Sequence, residues 1–181
     1  MCHTDPVTAI SFGLLLIRVV TGLTLAAHGY QKFYGGGRIA GAARWFESIG
    51  LRPGRVHALA AAGTELGAGA LLALGLLTPF AAAGFVGVMM VAIWTVHRGK
   101  GFFMTTGGWE YNLILASVAV GVAVAGPGRW SLDNVIGVHL SGGWGLLLSA
   151  VLGAAVASVL IGVYYKPGDR VTAAESTPSN R

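Results

Sequence analysis

Charged residues and cysteines are both scarce in this chain. Asp, Glu, Lys and Arg make up only 10% of its 181 residues, whereas 54% are hydrophobic. A soluble domain carries charge on about 25% of its residues, so this composition indicates an integral membrane protein of one compact domain. The single cysteine, Cys2, excludes an internal disulfide and a C-x-x-C redox pair. Any thiol chemistry must therefore come from a partner.

The signatures of metal, haem and nucleotide chemistry are also missing. No histidine belongs to an H-x-x-x-H or H-E-x-x-H motif, and the run Gly35-Gly36-Gly37 follows no predicted strand. His28 and His97 both fall at predicted helix ends, whereas a haem would need histidines that face each other inside a bundle. We therefore predict no metal site, no covalently bound cofactor and no dinucleotide site.

Apolar runs dominate what remains. Several approach the roughly 20 residues that cross about 30 Å of hydrocarbon. No Lys or Arg precedes Arg18, so the first run is interpreted as a retained membrane helix rather than a signal peptide. The predicted fold is an all-α polytopic transmembrane bundle with a four-helix core and a fifth, C-terminal helix. The core spans are 9–28, 56–77, 80–97 and 109–125, and the fifth span is 144–163.

The remaining segments are assigned by composition. Residues 1–8 form a polar leader, 9–133 the membrane core, 134–165 a loop with the fifth span, and 166–181 a disordered tail. Ile39, Ala42, Phe46 and Ile49 recur at helical spacing and predict a short amphipathic helix on the membrane surface. Gly63-x-x-x-Gly67 in the second span is interpreted as a helix-packing motif.

The placement of the cations predicts the membrane topology. Arg129 falls alone on one side and Arg18 lies within a span, while ten cations fall on the other side: Lys32, Arg38, Arg44, Arg52, Arg55, Arg98, Lys100, Lys166, Arg170 and Arg181. The positive-inside rule then places the N-terminus outside and the C-terminus in the cytoplasm. The alternative role for these cations is to bind an anionic ligand or lipid headgroups. Nucleic acid is not expected as a partner.

Arg18 and Glu65 are charges placed within predicted spans, where each costs on the order of 2.5–3.5 kcal/mol. Counted from the cytoplasmic ends of their spans, they lie at depths of roughly 15 and 13.5 Å. We therefore expect the two side chains to meet. The contact would be either a structural ion pair or a polar pocket that holds a ligand or relays protons.

A second polar group occupies the ends of the spans. The stretch from His97 to Asn112 separates two apolar runs and includes Glu110 and Tyr111, and His28 ends the first span. Each has an ordinary structural role, since a carboxylate such as Glu110 complements the dipole of the helix that it begins. Together they predict a funnel that opens on the cytoplasmic side above Arg18 and Glu65.

These segments resemble the DoxX family of small bacterial membrane proteins. The similarity covers about two thirds of the chain, and its pieces are H-G-Y-Q-K-F at 28–33, F-E-S-I-G-L at 46–51, T-E-L-G-A-G at 64–69, L-G-L-L-T-P at 74–79, V-H-R-G-K-G-F-F at 96–103, G-G-W-E-Y-N at 107–112 and G-P-G-R-W-S-L-D at 126–133. The resemblance implies a four-helix membrane core. It also implies an association with quinone-linked thiosulfate oxidation or with membrane complexes that defend against oxidants. The matching polar positions are Arg18, His28, Lys32, Glu65, His97, Glu110 and Asp133.

The leading hypothesis is a membrane subunit of a quinone-linked redox system in the bacterial plasma membrane. Electrons would come from a soluble redox partner, because the chain has no redox centre of its own. The catalytic candidates are Arg18, Glu65 and Glu110, and the candidates for quinone binding are His28, Lys32, His97, Tyr111 and Asn112. Two alternatives stay open, a non-enzymatic anchor that docks soluble enzymes on its basic loops and a small anion carrier with Arg18 as its counter-charge. Homo-oligomer formation is also left open.

Overall fold

The computed structural model describes residues 5–167 and shows a bundle of helices joined by short connections. The helices are α1 (Pro6–Tyr34), α2 (Arg38–Ser48), α3 (Gly54–Leu74), α4 (Thr78–Ala92), α5 (Glu110–Ala125), α6 (Leu132–Ile136), α7 (Gly142–Leu146) and α8 (Leu152–Tyr164). A π-helical turn at Ile93–His97 and a 3₁₀ turn at Arg98–Lys100 prolong α4, and a second π-helical turn at Leu147–Val151 joins α7 to α8. Cys2 and residues 168–181 of the predicted tail lie outside the described residues.

The predicted all-α membrane bundle is confirmed. Four helical segments are long and apolar enough to cross a membrane: Pro6–Tyr34, Gly54–Leu74, Thr78–Lys100 and Gly142–Tyr164. They correspond to the first, second, third and fifth predicted spans. The first helix continues well past the predicted end at His28, and this extension changes which residues of α1 and α3 face each other.

The fourth predicted span is α5, which has 16 residues and is shorter than the other four. It runs antiparallel to α4 along the length of that helix. Asn112 near the start of α5 contacts Met89, and Asp133, after the end of α5, contacts Thr78 at the start of α4. The buried residues of α5 join Leu72 and Phe85 in the main apolar cluster. The short helix α5 therefore belongs to the core of the bundle.

Glycines bring α1 and α3 into close contact. A β-carbon on Gly22 would lie 2.5 Å from the carbonyl oxygen of Gly69, and one on Gly69 would lie 2.5 Å from the amide nitrogen of Ala26. Backbones that approach this closely leave no room for side chains, which explains the small residues. The packing role predicted for Gly63-x-x-x-Gly67 is wrong. Nothing lies within 4 Å of a β-carbon built on either glycine, because both face away from the bundle.

The predicted amphipathic helix exists as α2, and its apolar side covers protein. Phe46 is buried in a cluster with Leu51 and Ala58. Further partly buried members come from α2 and from three other parts of the chain: Ile39, Ala42, Ala43, Ile49, Ala61, Val91, Leu160 and Tyr165. The helix α2 is thus fixed against α3, α4 and the end of α8.

Three basic segments meet at one end of the bundle, which we call the basic end. The amide of Lys166 donates to the carbonyl of Gly50 at 2.7 Å, so the chain after α8 lies beside the α2–α3 connection. The guanidinium of Arg98 lies 6.0 Å from the ring centroid of Tyr165, which brings the 98–108 loop to the same place. The start of α1 and the residues around 126–141 lie at the other end, which we call the opposite end.

Candidate functional site

The candidate site is a buried ion pair between α1 and α3. Glu65 points from the middle of α3 towards α1, where its carboxylate binds the ammonium group of Lys32. The side chain of Glu65 is 8% exposed and that of Lys32 is 22% exposed. Gly29 lies one turn before Lys32 on the same face of α1. A β-carbon on Gly29 would lie 3.1 Å from that of Glu65, so the glycine provides the space that the carboxylate occupies.

This location makes the electrostatics of the pair unusual. Removing a charge from water costs several kcal/mol, and the attraction of a partner offsets that cost only when the geometry is good. Inside a membrane-spanning helix the alternative to pairing is worse, because hydrocarbon offers no hydrogen bonds. Lys32 can donate protons in hydrogen bonds and Glu65 can accept them. Together they form a site that can bind a polar group and move a proton.

The predicted contact between Arg18 and Glu65 is wrong. Arg18 is 1% exposed, and its guanidinium donates to the carbonyl oxygens of Ala73 at the end of α3 and Trp130 in the loop after α5. It thereby ties α1 to two other parts of the bundle at the opposite end. The last carbonyls of a helix carry partial negative charge, so the cation complements the C-terminus of α3.

The register of α1 against α3 explains the error. Gly22 packs against Ala73, and Gly29 packs against Leu66. Continuing this antiparallel register places Arg18 level with the residues just beyond α3 and Glu65 level with about residue 30 of α1. At a rise of about 1.5 Å per residue, the two charges are therefore separated by about 18 Å along the bundle.

Asp133 completes the polar network at the opposite end. Its carboxylate accepts hydrogen bonds from the amides of Leu77 at 2.7 Å and Thr78 at 2.9 Å and from the hydroxyl of Thr78 at 2.6 Å. These contacts cap the N-terminus of α4 with a residue that lies far away in the sequence. The role of Asp133 was not predicted from the sequence, although the sequence contains one signal of it. The residue that precedes α4 is Leu77, which has no side-chain oxygen with which to cap the helix.

His97 and Glu110 both stabilise the connection between α4 and α5. Nδ1 of His97 donates to the carbonyl oxygen of Gly107 at 2.6 Å. The carboxylate of Glu110 accepts from the amide of Met104 at 3.0 Å. Both side chains lie at the basic end, where the funnel was predicted, and both are engaged in holding the 98–109 loop.

The remaining candidates differ in how far they enter the bundle. His28 and Tyr111 are exposed on the outside of their helices. Asn112 is buried, and its amide nitrogen contacts the sulfur of Met89 at 3.4 Å. The structure thus brings Lys32 and Glu65 into contact, and it leaves His28 and Tyr111 facing away from the bundle core. In residues 5–167 no group of three or more His, Cys, Asp or Glu side chains is placed to hold a metal ion.

A helical bundle with four membrane-length segments and an ion pair buried between two of them defines a polytopic integral membrane protein. The DoxX family model matches residues 13–98, from within α1 to just past the π-helical turn that follows α4. A relative from Bacillus subtilis (strain 168), named "Putative oxidoreductase CatD", is 36% identical over 124 residues, which are 68% of this chain and 87% of the relative. No solved structure matches the chain. The chain therefore belongs to the DoxX family.

Proposed function

We propose that this protein is the membrane subunit of a redox system and that it binds a quinone or quinol headgroup at the Lys32–Glu65 pair. The observation that carries the proposal is the ion pair itself. It lies within two membrane-spanning helices, and ionisable groups in such segments are expensive and usually mark a pathway for substrates or protons. The name of the Bacillus subtilis relative supports a redox role for the system.

Each member of the pair has a defined part in this proposal. The reduction of a quinone to a quinol consumes two electrons and two protons. The electrons come from a soluble redox partner that docks at the basic end, since the described residues contain no pair of cysteines and no metal cluster. Lys32 donates a hydrogen bond to a quinone oxygen. The two protons come from water at the basic end, and Glu65 takes them up one at a time and passes them to the reduced oxygens.

The ligand reaches the pair from the side of Lys32. That side chain lies two residues before the end of α1 and is more exposed than Glu65. His97 and Asn112 lie at the same end and remain candidates for contacts with the headgroup. Arg18 has no part in this step, because its guanidinium binds carbonyl groups at the opposite end. Because Arg18 already binds these carbonyl groups, it is not available as the counter-charge that the anion-carrier alternative required.

Quinone carried through purification tests the proposal. The full-length protein is purified in mild detergent, and its organic extract is analysed for quinone by mass spectrometry. We expect close to one quinone per chain in the wild type and a large loss in Glu65→Gln and Lys32→Gln. The matched control is Glu110→Gln, which alters a glutamate at the same end outside the pair and should retain quinone. Equal trace amounts in all four folded proteins would reduce the pair to a structural bridge.

The second candidate function is a scaffold without its own chemistry, and the clustering of charge at the basic end favours it. The exposed cations of that end, among the described residues, are Arg38, Arg44, Arg52, Arg55, Arg98, Lys100 and Lys166. A soluble partner with a carboxylate-rich surface would match them. If the protein is a scaffold, reversing the charges of Arg44, Arg52 and Arg55 should abolish recovery of the partner, and Glu65→Gln should leave that recovery unchanged. The quinone proposal instead requires that Glu65→Gln stops electron transfer with the partner still bound.

We further propose that the basic end faces the cytoplasm of a bacterial cell and that the protein lies in the plasma membrane. The positive-inside rule supports this orientation, because the exposed cations of the described chain gather at one end and Arg129 stands at the other.

A further inference from the structure

A polar cavity at the opposite end takes no part in the proposed redox site. Its volume is about 400 Å³, and its walls come from the start of α1 and from the loop before α6. The lining residues are Thr8, Ser11, Arg129, Trp130 and Asn134. The cavity is thus built from two segments that are distant in the sequence.

Arg129 supplies the charge of this cavity. It is the one exposed cation at the opposite end of the described chain, and its guanidinium makes neither an ion pair nor a hydrogen bond within residues 5–167. Its backbone is nevertheless held firmly. The amide donates to the hydroxyl oxygen of Ser11 at 3.4 Å, and the carbonyl accepts from the side chain of Asn134 at 3.0 Å. The structure therefore positions the residue while its charge stays available.

The other polar groups of the cavity are donors. Ser11 is 4% exposed, and its oxygen accepts from Arg129 while its hydroxyl hydrogen has no acceptor within the described chain. Buried hydroxyl groups normally find a partner, so this donor suggests a ligand. Asn134 donates one of its two amide hydrogens to the carbonyl oxygen of Arg129. The hydroxyl of Thr8 donates to the carboxylate of Asp5 at 3.5 Å. Asp5 is not among the lining residues.

The position of the cavity selects the kind of anion. Phe12 and Trp130 pack edge to face, with ring centroids 6.2 Å apart, and Trp130 is half exposed. Exposed tryptophans are typical of the membrane–water interface, and Trp144 lies at the same end of the bundle. With 29 residues, α1 is about 43 Å long against about 30 Å of hydrocarbon, so its first turn reaches the headgroup layer.

From this geometry we infer that the cavity binds a phosphate oxyanion, namely the phosphodiester of an anionic phospholipid in the leaflet opposite the basic end. Arg129 pairs with the phosphate charge, and Ser11 and Asn134 donate hydrogen bonds to its oxygens. Phe12 and Trp130 pack against the first carbons of the acyl chains. The inference does not depend on the quinone proposal, because the cavity and the Lys32–Glu65 pair lie towards opposite ends of the molecule.

Native mass spectrometry of the full-length protein in detergent tests this inference. Phosphatidylglycerol is titrated into the wild type, into Arg129→Gln and into His139→Gln, an exposed residue of the opposite end outside the cavity that serves as the control. We expect Arg129→Gln to weaken the tightest lipid-binding event about tenfold, as the loss of a charged hydrogen bond requires. His139→Gln should leave that event nearly unchanged, because His139 does not line the cavity. Ser11→Ala, which removes one of the two proposed hydrogen-bond donors, should weaken that event about threefold.

Inorganic phosphate and phosphatidylcholine distinguish the sources of the anion. If inorganic phosphate at millimolar concentration displaces phosphatidylglycerol from the wild type, the cavity is a site for free phosphate. If it does not, and phosphatidylcholine binds more weakly than phosphatidylglycerol, the ligand is the anionic lipid. Equal lipid binding by the wild type, Arg129→Gln and His139→Gln, all eluting as monodisperse folded protein, would overturn the inference.

Discussion

Arg18 and Lys32 are both cations of α1, and they are stabilised by different partners. The two terminal nitrogens of the Arg18 guanidinium donate to backbone carbonyls, whereas the ammonium group of Lys32 is paired with the carboxylate of Glu65. A planar guanidinium with several donors suits a bridge between chain segments, and a compact ammonium group suits a pair that can exchange a proton. At the scale of the residue, the functional hypothesis therefore belongs to Lys32 and Glu65.

A double-mutant cycle measures the strength of this pair. Lys32→Gln and Glu65→Gln should each destabilise the protein by about 1–3 kcal/mol, because each leaves a largely buried group without its charged hydrogen-bond partner. The double variant should cost less than the sum of the two, with a coupling of about 0.5–3 kcal/mol. The measurement is unfolding in mixed micelles of increasing SDS content. Strict additivity would show that the two side chains do not interact.

Asp133 gives a second prediction at this scale. Asp133→Ala removes the acceptor for three donors at the start of α4, at least two of which are buried. Replacing a cap costs about 0.5–2 kcal/mol, and each buried donor left unsatisfied adds about 1–3 kcal/mol. We therefore expect a loss of about 2–4 kcal/mol in the same unfolding experiment. Glu47→Ala is the control, because the exposed Glu47 accepts one hydrogen bond, from the amide of Gly54 at 3.2 Å, and its removal should cost less than about 1 kcal/mol.

At the scale of the element, the contact between α1 and α3 determines the site. Lys32 meets Glu65 only because Gly22, Gly29 and Gly69 let the two backbones approach closely in one register. The sequence contains many glycines in these helices, and the spacing of Gly63 and Gly67 is as suggestive as that of the glycines that pack. Local sequence cannot show which face of a lipid-embedded helix meets protein, since both faces are apolar.

Alanine substitutions in α3 separate the two kinds of glycine. Gly69→Ala places a methyl group against the backbone of α1 and should destabilise the protein by about 1–3 kcal/mol through overpacking. Gly67→Ala adds the same methyl group on the outer face, where nothing lies within 4 Å. It should be neutral or stabilising by up to about 1 kcal/mol, because alanine favours the helix. A neutral Gly69→Ala protein would contradict the register described here.

At the scale of the whole molecule, charge is distributed unevenly between the two ends. The basic end gathers three segments of the chain, and their contacts with one another show that they share one side of the bundle. The start of α1 lies at the opposite end and the end of α8 lies at the basic end. The chain between them must therefore cross the bundle an odd number of times. An odd number supports the five predicted spans, including the short helix α5.

Cysteine labelling of intact cells tests the proposed orientation. In a Cys2→Ser background, Val135→Cys introduces a thiol at an exposed position of the opposite end and Lys100→Cys introduces one at the basic end. A membrane-impermeant maleimide should label Val135→Cys in intact cells and Lys100→Cys only after permeabilisation. The reverse pattern would show that the basic end faces outwards.

The class of protein, its all-α fold, its family and the approximate positions of its spans can be predicted from the sequence, because apolar length and scarce charge are properties of local segments. The sequence also identifies Lys32 and Glu65 as separate candidates. Their pairing with each other, the binding of Arg18 to carbonyls far from Glu65 and the capping of α4 by Asp133 became visible only in the folded protein. These outcomes depend on the register between helices. The extension of α1 by six residues, from His28 to Tyr34, accounts for about 9 Å of the separation between Arg18 and Glu65, and the register of α1 against α3 accounts for the rest.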